Sequence, residues 1–383
     1  MYYFDNAATT FPKPEEVYTK MDNFYRNYGV NVGRGQFKEA STANKLLEDT
    51  RMMMLDLVCA NSSYDCVFTS SATEAMNIIL QGIQWSKDMN VYITPFEHNA
   101  ILRTLHYLKI KYEINIITLY PDKETLEYDF DNIRNQFEKF KPNVVVMTHA
   151  SNSFGNINPI EEIFQLAKIY DALTVCDMAQ TMGILDFNIV SSKADYTVFA
   201  GHKTLYGPLG IGGYITNKGL SLSPLIYGGT GLDSQNLNMP EVMPTKYEAG
   251  SHNIQAISGL YASLLWIRKI GISNIRRKDK ETTEKLLSIL DNYTNIEIVR
   301  GNNEDNNIGV VSCLFDGYSS DNIGQVLSDN DIAVRTGLHC APNAHKFMDT
   351  FPAGTVRFSI SYFTTDKDLS ALDDALEYIE INS

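Results

Sequence analysis

Short β-rich runs that alternate with helical stretches limit most strongly what this chain can fold into. The alternation extends over roughly residues 64 to 216. It is typical of βαβ units, in which parallel strands form a sheet and helices cover its faces. The predicted strands are 67–69, 91–94, 114–119, 144–148, 173–176, 196–199 and 211–215, and the predicted helices between them include 74–84, 100–109 and 160–170.

The pattern changes after the glycine-rich segments 228–231 and 250–251. Two long helical stretches follow, and then short strands and helices that favour a small α+β unit. The predicted elements are helices 254–270, 275–293, 320–329 and 366–380, and strands 296–299, 310–314, 333–335 and 356–359. Because 383 residues exceed the usual size of one domain, about 150 residues, we predict two: a large α/β domain, 14–265, and a small α+β domain, 1–13 with 266–383.

The chain is acidic, with a formal net charge of −14, and 44% of its residues are hydrophobic. This composition is typical of a soluble globular protein, and its charge argues against nucleic acid or an anionic membrane as the main partner. No apolar run approaches the roughly 18 residues that a membrane span needs. Because polar residues follow Met1 almost at once, we expect no secretion signal. The sequence predicts a cytoplasmic protein that acts on a small molecule.

The five cysteines form no C-x-x-C pair, and their number is odd. Neither a zinc site nor a disulfide framework is indicated, which fits a reducing cytosol. Cys340 stands apart because its loop, 335–342, is polar and has cationic neighbours that favour an exposed thiolate. The other four have apolar neighbours and are predicted to lie in the core: Cys59, Cys66, Cys176 and Cys313.

Polar side chains follow three successive predicted strands. Asn152 comes after the strand 144–148, Asp177 after 173–176, and Lys203 after 196–199. Ligands of open α/β sheets bind beyond the carboxyl ends of the strands, so these side chains are expected to meet. A lysine amine and a carboxylate in one site are what pyridoxal 5′-phosphate requires. Each residue alone has an ordinary alternative, a helix cap for Asp177 and a solvated side chain for Lys203.

Three further features fit the same cofactor and its substrate. The hydroxyl-rich segment 69–74 leads into a helix, whose N-terminus suits a phosphate, although Ser71 and Glu74 equally predict a capping box. His98 is positioned to lie on the cofactor ring, and its alternative is an ordinary surface histidine. Arg357 suits a bidentate contact with a carboxylate, and its alternative is a structural ion pair.

These motifs resemble the class V aminotransferase family of fold-type I enzymes, and within it the group II cysteine desulfurases and selenocysteine lyases. The resemblance runs from the segment 3–9 to the surroundings of Arg357. Its most specific parts are Asp-Met-Ala-Gln at 177–180, Gly-His-Lys at 201–203 and Arg-Thr-Gly-Leu-His-Cys-Ala at 335–341.

The resemblance implies a role for each matching residue. Three residues are expected to be catalytic: Lys203, which binds the cofactor covalently, Cys340, which carries sulfur as a persulfide, and His98, which stacks on the cofactor ring. Binding of the cofactor is implied for Ala72, Thr73, His98, Asn152, Asp177, Gln180, His202 and Ser251, and binding of the substrate carboxylate for Asn152, Arg335 and Arg357. Ser251 is expected to reach the phosphate of a neighbouring subunit, so a homodimer is implied.

The implied activity is the conversion of L-cysteine to L-alanine, with Lys203 moving the α-proton. A selenocysteine lyase or another β-eliminating lyase is the main alternative; a transaminase and a silent sulfur-relay protein are further ones. A sulfur-acceptor protein is expected, in iron–sulfur cluster assembly, tRNA thiolation or a dedicated pathway. The sequence departs from the family at Ala200, where a Ser or Thr usually binds the phosphate, and at 363–365.

Overall fold

The structure, a computed structural model, describes residues 1–33, 35–231, 235–302 and 306–382. The helices of this part of the chain are α1 (Glu15–Tyr28), α2 (Lys38–Leu57), α3 (Ala72–Gly82), α4 (Asn99–Tyr112), α5 (Phe130–Lys139), α6 (Ile160–Lys168), α7 (Ile254–Ile270), α8 (Ile272–Leu290), α9 (Ser320–Asp329), α10 (Pro342–Phe347) and α11 (Asp366–Ile381). Its strands are β1 (Tyr2–Tyr3), β2 (Tyr64–Thr69), β3 (Asn90–Ile93), β4 (Asn115–Thr118), β5 (Val144–Thr148), β6 (Leu173–Asp177), β7 (Tyr196–Ala200), β8 (Gly212–Asn217), β9 (Ile296–Val299), β10 (Val310–Phe315), β11 (Ile332–Ala333), β12 (Arg335–Gly337) and β13 (Thr355–Ser359).

Seven strands form a large sheet in the order β2-β8-β7-β6-β5-β3-β4. The pairs from β4 to β7 are parallel, whereas β8 runs antiparallel to both of its neighbours. Helical crossovers such as α6, between β5 and β6, are what parallel pairing requires. The predicted α/β class, with a mainly parallel sheet, is therefore confirmed.

Both faces of the large sheet are buried, because successive side chains of each strand point to opposite sides. On β5 and β6, Val145 and Cys176 pack into one hydrophobic cluster together with α2, α6 and α7. Val146 and Val175, their neighbours in sequence, pack into the other cluster with α3 and α4. This burial on both sides explains why these strands are nearly continuous apolar runs.

A second, antiparallel sheet has the order β12-β13-β10-β9. Helices α8, α9 and α11 cover it, and their buried side chains form a separate cluster with Phe358 and Val311. The chain's first strand, β1, pairs with β11 beside this sheet, and a bridge joins Asp5 to Ser359 at the end of β13. The N-terminal residues are thereby held next to the C-terminal part of the chain.

The sequence located most elements of the structure. Helices α7 and α9 lie at the predicted bounds, and α8 begins three residues earlier than predicted. Helices α1, α2, α5 and α10 were not predicted. The domain boundaries at 13/14 and 265/266 stay a prediction. Among the described residues, no helix combines the length and the apolar character that crossing a membrane would require.

Gly212 at the start of β8 provides a test of how closely the sheet packs against α3. A Cβ atom at this position would lie 2.6 Å from the backbone nitrogen of Ala72 and from the carbonyl carbon of Ser71. Backbone cannot move aside as a side chain can, so Gly212→Ala is expected to lower the free energy of unfolding by about 1–3 kcal/mol. Urea unfolding at one fixed protein concentration measures it.

Gly229→Ala is the matched control, because a Cβ atom there meets no atom within 4 Å among the described residues. It is expected to change the free energy of unfolding by less than about 1 kcal/mol. Equal effects of the two substitutions would contradict the close packing of β8 on α3.

Candidate active site

A cavity of about 230 Å³ lies at the carboxyl edge of the parallel strands. Its wall comes from the ends of β5, β6 and β7, the start of α3, the N-terminal segment and the loop that follows β12. The residues that line it are Ala7, Ala8, Ser71, Ala72, Thr73, His98, Ala100, Thr148, Asn152, Asp177, Ala179, Gln180, Ala200, His202, Lys203, Arg335, His339, Cys340 and Arg357. The cavity thus contains every predicted site residue except Ser251.

The parallel ladder brings the functional side chains to one place. Asp177 is the last residue of β6 and lies opposite Thr148 of β5 and Val198 of β7. Asn152 follows β5 by four residues, and Lys203 follows β7 by three, so both turns leave the sheet beside Asp177. The convergence therefore follows from the pairing of neighbouring strands.

Burial and the opposite charges of the two groups shift the pKa values of Lys203 and Asp177. Burial lowers the pKa of Lys203 to about 8, although the negative charge of Asp177 acts in the opposite direction. Burial raises the pKa of Asp177 above its usual value, while a hydrogen bond from the Ala179 N–H to its Oδ1, 2.9 Å long, favours the carboxylate. At pH 7, one unit below the pKa of Lys203, about a tenth of its amine is therefore unprotonated and able to act as a nucleophile or base.

The start of α3 faces the cavity. The Ser71 hydroxyl caps this helix by accepting from the Glu74 N–H, but the Glu74 carboxylate accepts from Ser70 rather than from Ser71. The predicted capping box is therefore only half present. Ala72 and Thr73 lie in the first turn, where unpaired N–H groups and the helix dipole favour an anion.

His98 is the N-cap residue of α4, and its Nδ1 accepts a hydrogen bond from the Ala100 N–H at 3.0 Å. Burial, together with the nearby charge of Lys203, lowers the pKa of His98 to about 4. The imidazole is therefore neutral at physiological pH. Its side chain is half-buried and lines the cavity, and its contact with a cofactor ring stays a prediction.

Arg357 is almost completely buried, with 1% of its surface exposed. Its Nη1 donates to the backbone oxygen of Asn152 at 2.9 Å, and its Nη2 pairs with the carboxylate of Asp5. The Nε–H has no hydrogen-bond partner among the described residues. The guanidinium is thus fixed by a structural ion pair while Arg357 lines the cavity, and its contact with a substrate carboxylate stays a prediction.

The cysteine loop is held in an unusual backbone conformation. His339 and Cys340 have φ values of 47° and 61°. Residues other than glycine rarely adopt this left-handed region of backbone conformation. Two hydrogen bonds fix this geometry: the Asn99 N–H donates to the Cys340 oxygen at 2.7 Å, and the Asn152 side chain donates to the His339 oxygen at 2.7 Å. Cys340 is half-buried, and Arg335 Nη2 lies 3.8 Å from its Sγ.

Three of the remaining cysteines are buried as predicted, namely Cys66, Cys176 and Cys313. The prediction was wrong for Cys59, which is exposed. Cys59 follows α2 in a turn with φ 53°, and the turn directs it outward even though its neighbours in sequence are apolar.

Ser251 lies outside the cavity, at a second and more open groove of about 890 Å³. The loop that carries it is anchored by Glu248, whose carboxylate pairs with Arg51 at 2.6 Å and with His252 at 2.8 Å. Burial alone would raise the pKa of Glu248, but these two partners lower it to about 2. Ser251 itself is exposed, and its reach to a neighbouring subunit stays a prediction.

Sequence reasoning missed three residues around the cavity. Glu97 is fully buried, and its carboxylate accepts from the Thr94 and Thr148 N–H groups, which ties the strand ends together. Burial raises its pKa to about 8. His339 lines the cavity beside Cys340. Lys13 contacts the backbone of His202. Glu97 could have been found because it is a charged residue directly before the predicted site residue His98. Nothing in the sequence around Lys13 indicated that it would lie near the cavity.

This chain belongs to the Aminotransferase class-V family, whose model matches residues 2–372. It is 31% identical to a "Probable cysteine desulfurase" of Pyrococcus abyssi, over 98% of this chain and 93% of that protein. It is 30% identical to a protein of the same name from Methanothermobacter thermautotrophicus, over 98% and 94%. An apo structure of a cysteine desulfurase from Thermococcus onnurineus NA1 matches with a TM-score of 0.92 and 28% identity, covering 100% of this chain and 95% of that one.

The ionisation of Lys203 can be tested without a cofactor or substrate. Because only the neutral amine reacts with formaldehyde, reductive methylation of Lys203 is expected to increase with pH and to have a midpoint near 8, the lowered pKa. Asp177→Asn removes the negative charge that raises this pKa, and should move the midpoint to lower pH. Mass spectrometry of the peptide that contains Lys203 gives both values.

Asp186→Asn is the control for this experiment, because Asp186 is an exposed carboxylate that does not line the cavity. It should leave the midpoint unchanged. A midpoint that does not respond to Asp177→Asn would show that the two groups do not interact.

Proposed function

We propose that this protein is a cysteine desulfurase that depends on pyridoxal 5′-phosphate and converts L-cysteine to L-alanine. The observation that carries the proposal is the presence of Lys203, Asp177 and Cys340 in the wall of one cavity. The relatives named as cysteine desulfurases match over nearly the whole chain, which supports the same assignment.

The cavity wall fits the cofactor in its charges and its free donors. Lys203 supplies an amine for the aldehyde, Asp177 a carboxylate for the ring nitrogen, and the start of α3 a set of N–H groups for the phosphate. His202 Nδ1 is buried without a hydrogen-bond partner among the described residues, so it is available to the same ligand. When bound, the cofactor withdraws electrons from the substrate carbon that carries the amino group.

Asp177 acts by its charge. A carboxylate and a cation about 4 Å apart at an effective dielectric of 20 attract by about 4 kcal/mol, enough to keep the ring nitrogen protonated. Gln180 donates to the Ala7 oxygen at 2.9 Å through one amide hydrogen, and its second one is proposed to bind the phenolic oxygen of the ring. The neutral imidazole of His98 would lie against the ring without adding a second positive charge.

The substrate carboxylate is proposed to bind Arg357 and Asn152, with Arg335 on the side of the cysteine loop. Once the amino group of the substrate has replaced Lys203 on the cofactor, the released amine, unprotonated in part near neutral pH, would take the α-proton and return it. Cys340 Sγ then forms an S–S bond with the sulfur of the substrate as the C–S bond breaks. The C–S electron pair stays with the carbon fragment, which takes up a proton and leaves as L-alanine, and the sulfur remains on Cys340 as a persulfide.

We further propose that the protein acts in the cytoplasm as a homodimer and passes its sulfur to an acceptor protein. The exposed position of Ser251, at an open groove beside the anchored Glu248 loop, supports its proposed contact with the neighbouring subunit's phosphate. The chain's net charge of −14 gives no reason to expect nucleic acid as a direct partner.

The reaction is tested by measuring alanine and sulfide from L-cysteine, with the cofactor-loaded protein and a reductant. The two products should form in equal amounts. Lys203→Ala removes the proton carrier and should lower both rates by at least roughly a hundredfold. Cys340→Ser removes the sulfur acceptor and should also abolish both.

Cys59→Ser is the matched control, because Cys59 is an exposed thiol outside the cavity, and it should keep the rate of the unchanged protein. Full activity of Cys340→Ser would rule out the persulfide step. A product other than alanine, or none, would rule out the proposed reaction.

The family departure at Ala200 leads to a second experiment. Two hydroxyls close to this position already donate within the protein: Ser70 donates to Glu74, and Thr204 donates to the Met182 oxygen. The Ser71 hydroxyl accepts from the Glu74 N–H and keeps its own hydrogen for a ligand. Ala200→Ser is therefore expected to tighten binding of pyridoxal 5′-phosphate by tenfold or more, since a hydrogen bond to a charged group contributes about 1.5–3 kcal/mol.

Pyridoxal, which lacks the phosphate, is the matched ligand. Its dissociation constant, measured by fluorescence titration, should be the same for Ala200→Ser and the unchanged protein. Tighter binding of both ligands, or of neither, would contradict a phosphate site at position 200.

A further inference from the structure

The N-terminal segment makes four hydrogen bonds to His202 and Lys203, two consecutive residues in the turn that follows β7. The carbonyl oxygen of His202 accepts from three donors of this segment: the Thr10 N–H at 3.0 Å, the Thr9 hydroxyl at 3.1 Å and the Lys13 ammonium at 2.6 Å. The carbonyl oxygen of Lys203 accepts from the Thr10 hydroxyl at 2.8 Å. The contacts join positions about 190 residues apart in the chain.

Both peptide groups next to the Lys203 side chain are therefore fixed from outside the large sheet. Within its own turn, the Lys203 N–H has only a long contact with the Ala200 oxygen, 3.5 Å, whereas its oxygen also accepts from the Tyr206 N–H at 2.8 Å. A turn held this weakly at its N–H would allow the lysine to change direction. The N-terminal donors restrict that movement.

The same segment is firmly attached to the other walls of the cavity. Asp5 pairs with Arg357, the Ala7 N–H donates to the Ser359 hydroxyl at 2.9 Å, and the Ala7 oxygen accepts from Gln180. Residues 5 to 13 therefore connect the end of β13 with the turn after β7. The segment is therefore fixed by hydrogen bonds at both of these places on the cavity wall.

We propose that Lys13 and Thr10 form a clamp that positions Lys203, a role that rests on the proposed function of Lys203 in binding the cofactor. Neither clamp residue lines the cavity, so both act through the backbone of residues 202 and 203. Lys13 donates to the His202 carbonyl oxygen at 2.6 Å from a position where burial disfavours the ammonium and lowers its pKa to about 7. Both the charged and the neutral amine keep N–H groups, so the hydrogen bond does not depend on the protonation state.

The clamp is tested by hydrogen exchange in the cofactor-free full-length protein, so that neither cofactor loading nor turnover enters the result. Lys13→Met removes the donor and keeps a long apolar side chain; Thr10→Val removes the hydroxyl and keeps the shape. Each is expected to speed exchange at the amides of Thr10 and Tyr206 by about tenfold, which corresponds to about 1.4 kcal/mol. Helix α11, in the C-terminal part of the chain, should exchange at an unchanged rate.

Lys13→Arg keeps a charged donor and should restore slow exchange at both amides. Unchanged exchange in Lys13→Met and Thr10→Val would overturn the clamp. Equal acceleration in α11 would also overturn it, because Lys13 would then stabilise the whole protein and not this turn. If the clamp result is positive and no alanine forms from L-cysteine, the proposed reaction fails and the positioning of Lys203 stands.

Discussion

The structure depends on the parallel pairing of β5, β6 and β7. This ladder puts Thr148, Asp177 and Val198 side by side, so the turns that follow the three strands must share one edge of the sheet. Asn152 and Lys203 lie on those turns, and the carboxylate at the end of β6 lies between them. A shift of one residue in the pairing would turn every side chain of a strand to the other face, so the buried faces of the sheet also fix the site.

The cavity wall carries more cationic than anionic side chains, whereas the chain as a whole has a negative net charge. The protein has a formal charge of −14, yet the cavity wall contains Lys203, Arg335 and Arg357. Asp177 is the acidic residue among the lining residues, and Asp5, which lies outside the lining, pairs with Arg357. Glu97 lies behind this wall, and burial raises its pKa to about 8, so it adds little negative charge near neutral pH. A positive cavity in an acidic protein suits small anionic ligands, such as a phosphate and an amino-acid carboxylate.

The sequence was informative where the information is local. Periodicity located α7 and α9, and the polar residues after three strands located the centre of the cavity. Helix α2 carries a helical signal as well, with Ala43, Leu47 and Met54 on its buried side, although it was not among the predicted helices. Cys59 was misplaced because apolar neighbours do not reveal that a turn directs a side chain outward. The contacts of Lys13 could not be predicted, because their partners lie about 190 residues away.

The loop that carries Cys340 is hydrogen-bonded to residues that follow strands of the large sheet, which bears on the proposed sulfur transfer. Two consecutive residues in the left-handed region, His339 and Cys340, each store strain on the order of 1–3 kcal/mol, which persists only where the surroundings hold the backbone. The bonds that hold it come from Asn99, at the start of α4, and from Asn152, in the turn after β5, whereas the loop itself follows β12 of the small sheet. The position of the thiol relative to Lys203 is therefore set by contacts across the cavity. A substitution that loosens Asn152 would move Cys340 as well as the proposed carboxylate site.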